Sequence, residues 1–131
     1  MAEESADVGS GAPISQEEFQ SLAEMIGLDM PEVLADLIET YLSESRSLVD
    51  SLVAAHQAGD NDAMVRPAHS LKSSSASVGA MRLSGLCADL EAHLRGAPTT
   101  MDVDGQVASI DHEFERVTTA LEYEKEQLLN T

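Results

Sequence analysis

The sequence predicts an all-α fold: an antiparallel four-helix bundle with a short additional N-terminal helix covering one end. Three observations carry that expectation. Apolar residues recur at three- and four-residue spacing through four long segments, the period of helices buried on one side. Ala, Leu and Glu are abundant, and all three favour helix. The chain has 131 residues with two Phe, two Tyr and no Trp, so its size fits one domain and its core must be aliphatic.

Charge and cysteine content narrow the function classes. There are 24 Asp plus Glu against 7 Lys plus Arg, a formal charge of −17. That argues against nucleic acid, whose binding draws on Lys and Arg, and against anionic membrane surfaces. Protein partners stay open. A single Cys excludes an intrachain disulfide. No apolar run is long enough to span a bilayer and no signal-peptide layout is present, so a cytoplasmic location is expected.

Residues 1–14 are rich in Gly, Ser and acidic residues and are expected to be a flexible tail. The bundle is expected over 15–128, with 129–131 as a C-terminal tail. Ser15 and Glu18 have capping-box spacing, and Ile14 is placed to pack back onto Phe19. Phe19, Leu22, Ala23 and Ile26 give the first helix its apolar face, and Gly27 closes it. The second helix opens with Pro31, suited to a first turn, and runs to about Ala58, with Gly59 ending it. Leu34, Leu37, Ile38, Tyr41, Ser45, Leu48, Leu52 and Val53 form its stripe, widened by Val33, Leu42 and Val49. Ile38, Leu42 and Ser45 read either as core residues of that stripe or as a rim beside His69 where a partner docks.

Asp60 is the expected cap of the third helix. Pro67 lacks an N–H, so either the helix kinks there or its regular part starts near Val65. Met64, Ala68, Leu71, Ser75 and Val78 share one apolar or small side at about 100° per residue. His69 lies about 200° from Leu71, on the opposite side. Lys72 shares the face of His69, with Ser73 and Ala76 on the same side. Arg66 flanks the motif and could add positive charge there, but solvent is its default partner. An imidazole therefore projects outward beside an ammonium, over small residues that leave room for another protein. Ser73, Ser74 and Ser75 have no base in a triad arrangement and read as small packing residues.

The fourth helix is expected from about Ala80 to Arg95. Leu83, Cys87, Leu90 and Leu94 form its inner line, with Cys87 acting as a small hydrophobe. Glu91 sits one residue off that line, where position alone makes it a solvated carboxylate. A loop containing Pro98 leads to a last helix from about Asp102 to Leu128, with Val103, Val107, Ile110, Phe114, Val117 and Leu121 inward. Asp111, His112 and Glu113 are adjacent and diverge on a helix, so no metal site is expected. His56 and His93 read as ordinary surface or rim residues.

The stretch from His69 to Ala80 resembles the histidine phosphotransfer domain family of multistep phosphorelays. His69, Leu71, Lys72, Ser74, Ser75, Val78, Gly79 and Ala80 stand in that family's register, with Ser73 where it usually has Gly. The similarity extends through Leu83, Cys87, Leu90 and Glu91. The resemblance implies that His69 takes a phosphoryl group from a receiver-domain phosphoaspartate and passes it on reversibly. It implies that Glu91 accepts a hydrogen bond from the δ nitrogen of His69, and that Lys72 offers charge to the phosphoryl oxygens. The implied partners are response-regulator receivers and, where one exists, a hybrid histidine kinase. No intrinsic cofactor is expected, and Mg²⁺ would come from the receiver. Four long segments can close a bundle within one chain, so a monomer is expected. A non-catalytic receiver-binding adaptor and a sensor-kinase dimerisation domain remain the alternatives.

Overall fold

The computed structural model describes residues 12–27 and 29–130; most of the expected N-terminal tail lies outside the described residues. Among the described residues five helices follow one another: α1 (Gln16–Ile26), α2 (Pro31–Gln57), α3 (Asn61–Ser77), α4 (Met81–Leu94) and α5 (Val103–Leu129). Side-chain caps set three of the starts. Ser15 Oγ accepts from the Glu18 amide at 3.4 Å, Asp60 Oδ1 from Ala63 at 3.1 Å, and Asp102 Oδ1 from Gly105 at 3.1 Å. Each supplies an acceptor to an amide that the first turn leaves without one.

The cap at Asp60 explains why Pro67 does not delay α3. The helix is already nucleated at Asn61 and runs through Pro67 to Ser77, so its regular part does not start near Val65. Pro67 is buried and gives up only its own bond to the Ala63 carbonyl.

Helices α2 to α5 form the bundle, with α3 against α4, α4 against α5, and α2 closing the ring against both α3 and α5. Side-chain pairs between α2 and α5 show that they run antiparallel. Glu39 meets Lys125, Arg46 meets Glu115, and His56 meets Asp104; residue numbers rise along one helix as they fall along the other. The core is aliphatic as composition required, with Ile38, Val49, Leu52, Met64, Leu71, Leu83, Leu90, Ile110, Val117 and Leu121 fully buried. Phe114 is its most deeply buried aromatic, with Phe19 and Tyr41 also buried, and Arg46 covers the Phe114 ring 4.9 Å from its centroid.

Helix α1 packs over the end of the bundle where α3 turns into α4. The Ser15 amide donates to the Gly79 carbonyl at 2.8 Å, and Ile14, Phe19 and Ala23 join the core. Gly79 is required there twice over. Its φ is +86°, and a Cβ would sit 3.1 Å from the Ser15 carbonyl oxygen and 3.2 Å from the Phe19 nitrogen.

The expected stripe of α2 is buried at Leu34, Ile38, Tyr41, Ser45 and Leu52 and departs from expectation at its edges. Ile38 is wholly buried, Leu42 is 7% exposed and Ser45 1%, so these three belong to the core and not to a docking rim. The stripe is centred between Leu34, Ile38, Tyr41, Ser45, Val49 and Leu52, because α2 must face α3 and α5 together. Leu37 and Val33, read as inward, stand exposed instead.

Candidate functional site

The site is built by the α3–α4 hairpin. Leu71 and Ser75 of α3 are buried against the core, and Tyr41 Oη of α2 lies 2.8 Å from Ser75 Oγ. That inward side leaves the opposite side of α3, with His69, Lys72, Ser73 and Ala76, towards solvent. Three residues connect α3 to α4, and Ser84 Oγ donates to the Lys72 carbonyl at 2.7 Å. This bond holds the two helices in a register that sets Glu91 opposite His69.

Glu91 is the centre of the arrangement. Leu90 and Cys87 beside it are fully buried, and the Glu91 side chain keeps only 7% of its exposure. His69 Nδ1 lies 2.8 Å from Glu91 Oε2. A carboxylate only accepts, so Nδ1 carries a proton and donates it, and in the neutral ring Nε2 then keeps its lone pair. The imidazole is 54% exposed, which leaves that nitrogen accessible. Lys72 Nζ stands 2.7 Å from Glu91 Oε1. Arg95 Nε donates to Oε2 at 2.8 Å, one helical turn after Glu91.

Three donors on one carboxylate fix its charge. The Lys72 ammonium is the largest influence; burial opposes it, and Arg95 and His69 add to it. Together they hold the Glu91 carboxyl at about 2, against an ordinary 4.5. Glu91 is therefore a permanent anion at neutral pH. It is not the solvated carboxylate that its wheel position alone suggests. Lys72 and Arg95 neutralise it with their charged heads.

Ser73 is exposed and Ala76 half-buried on the same face. Alongside, a groove of about 630 Å³ runs between α2 and α3, lined among others by Leu37, Leu48, Ser70, Ser74 and Ser77. The other histidines are differently placed. His56 pairs with Asp104 at 2.7 Å at the far end of α2. His93 is half-buried and His112 exposed. The side chains flanking His112 diverge: Asp111 meets Arg46, and buried Glu113 meets Arg82 and Arg116.

Arg95 was not singled out in the sequence as a site residue. Its signal is the spacing from Glu91, four residues on the same helix, which puts a cation within reach of an anion. That spacing becomes informative only once Glu91 is known to be buried.

An outward imidazole held at Nδ1 by a buried anion is an arrangement that can serve nucleophilic chemistry at Nε2. The profile of the Hpt domain matches residues 36–129. The chain belongs to the Hpt domain family. Its role is accordingly histidine phosphotransfer in two-component relays. Among solved structures, the crystal structure of histidine-containing phosphotransfer protein B (HptB) from Pseudomonas aeruginosa PAO1 is similar. It is 29% identical with a TM-score of 0.76, over 88% of this chain and 96% of that one. No curated protein sequence matches significantly. Among the described residues, no helix is long and apolar enough to cross a membrane.

Proposed function

We propose that His69 is the phosphorylated residue and that the chain relays a phosphoryl group between aspartates of receiver domains. The Nε2 lone pair attacks the phosphorus of a receiver phosphoaspartate. An N–P bond forms, the acyl O–P bond breaks, and the aspartate carboxylate leaves with the electron pair. The Nδ1 proton stays where it is, so the ring gains positive charge as the bond forms. Glu91, already anionic and 2.8 Å away, offsets that charge. The same balance serves the return step, in which a second receiver aspartate attacks the phosphohistidine.

Lys72 has three N–H donors and uses one side of its ammonium on Glu91. The remaining donors serve the phosphoryl oxygens. Mg²⁺ belongs to the receiver in this scheme. Ser73 and Ala76 leave the approach to Nε2 low. The docking face continues over exposed Leu37 and Val33, in place of the buried Ile38, Leu42 and Ser45.

The observation that supports this reading best is the His69–Glu91 bond beside a free Nε2. The test mixes the protein with a phosphorylated receiver and Mg²⁺ and follows label on the bundle. Label that is acid-labile and base-stable, and lost in His69→Gln with helicity retained, is the expected result. Label persisting in His69→Gln overturns the assignment.

A further inference from the structure

Cations are scarce in this chain, and where each one goes is informative. Of the 7 Lys and Arg residues, six are held by carboxylates. Arg46 meets Asp50, Asp111 and Glu115, and Lys125 meets Glu39 and Glu122. Lys72 and Arg95 share Glu91, and Arg82 and Arg116 share Glu113. Arg66 alone forms no ion pair with the described residues. Asp62 lies four residues earlier on α3, at a spacing that suits pairing, yet the two form none.

Arg66 is exposed and precedes His69 by three residues, so its Cβ stands about 5–6 Å from that of His69 on the same outward face. In a chain of charge −17, a guanidinium with no local carboxylate is a directional feature of the surface field. The two other cations near His69 are already committed to Glu91. Arg66 is the one whose charge is uncompensated within the described structure.

Building on the phosphotransfer reading, we propose that Arg66 recognises the partner receiver by pairing with a carboxylate at the rim of the receiver's phosphorylation site. The chemistry of that site makes the rim anionic. It presents a phosphoaspartate or its free carboxylate, and a Mg²⁺ ion held there needs oxygen ligands, carboxylates among them. An approach between this acidic bundle and an anionic mouth is repulsive over most orientations. Arg66 lowers that barrier in the orientation that brings His69 to the phosphorus. Arg66 acts on encounter and orientation; it touches neither Nε2 nor Glu91.

The test measures phosphoryl transfer from a labelled receiver by rapid quench, over a range of protein concentrations and salt. Arg66→Gln should lower the second-order rate constant about tenfold at low ionic strength. The rate at saturating protein should stay unchanged. Arg66→Lys should recover most of the loss, and Arg66→Glu should deepen it. Near 1 M salt, where screening acts within about 3 Å, the variants should converge. The lifetime of phosphohistidine in the isolated protein should be the same in wild type and Arg66→Gln. Wild-type rates in Arg66→Gln at low salt overturn the proposal. A changed phosphohistidine lifetime also overturns it, because the guanidinium would then act on the phosphoryl group itself. Wild type that takes no label from a broad receiver panel, or label surviving in His69→Gln, instead refutes the phosphotransfer reading.

Discussion

Replacing Glu91 with Ala tests whether the buried carboxylate organises the nucleophile. The substitution removes the acceptor 2.8 Å from His69 Nδ1 and releases Lys72 and Arg95. Both cations are partly exposed, with 35% and 57% of their side-chain surface accessible. They can turn to water, so the stability loss should be on the order of 1 kcal/mol, nearer an exposed pair than a buried one. The kinetic loss should be larger. A hydrogen bond to a charged group contributes about 1.5–3 kcal/mol. If it acts fully in the transition state, phosphoryl uptake falls roughly 10- to 150-fold. Glu91→Gln separates two contributions: its amide oxygen still accepts from Nδ1–H, but the charge that offsets the imidazolium is gone. Single-turnover uptake from a phosphorylated receiver should therefore rank wild type above Glu91→Gln above Glu91→Ala, with circular dichroism showing retained helix. Uptake in Glu91→Ala within about twofold of wild type would refute the orienting and charge-balancing argument.

Glu91 should also leave a mark on acid stability. Its carboxyl titrates at about 2 in the fold against an ordinary 4.5, so its contribution is present above 4.5 and is lost as pH falls towards 2. Urea midpoints across that interval should fall more steeply for wild type than for Glu91→Gln; parallel curves would deny the shift. Ser73→Trp should block transfer and keep the helical signal, whereas Ser73→Gly should transfer at least as fast and cost about 0.5 kcal/mol of helix stability. Unchanged transfer in Ser73→Trp would remove the docking surface over His69. Gly79→Ala should destabilise by about 2 kcal/mol or more in urea unfolding, since φ near +86° is unfavourable for an L side chain by about 1–2 kcal/mol and the Cβ also meets backbone of α1. A neutral result there would refute both the backbone cost at Gly79 and the close approach of α1.

Local chemistry made much of this protein legible in its sequence. Ser15, Asp60 and Asp102 mark helix starts because a cap is a short-range bond between a side chain and an amide three residues on. His69 stands out only through the resemblance, because the small residues and Lys72 within two turns of it match a known family's register; alone, it reads as an ordinary polar residue. The rotation of α2 was less legible. Its apolar residues cover more than one face, so periodicity allows several rotations, and only the positions of α3 and α5 decide that Ile38 points in and Leu37 out. The burial of Glu91 was hidden for a related reason. An acidic residue one step off an apolar line reads as solvated until cations from two helices are seen to converge on it. Arg95 follows from Glu91 and was invisible without it. The start of α3 shows the opposite balance, since the Asp60 cap outweighs the interruption that Pro67 suggests.

The imidazole and its carboxylate sit on successive helices, so the reactive unit depends on how two rods are aligned. Sliding α3 by one residue along α4 shifts it about 1.5 Å, enough to carry Nδ1 out of range of Oε2. The tautomer would then be set by solvent. A loosened bundle with helices intact but packing lost, such as an acid-swollen state, would retain its circular dichroism and lose its prepared nucleophile. On the proposed relay, competence to transfer would disappear before secondary structure does, and only well-packed molecules would pass the group on.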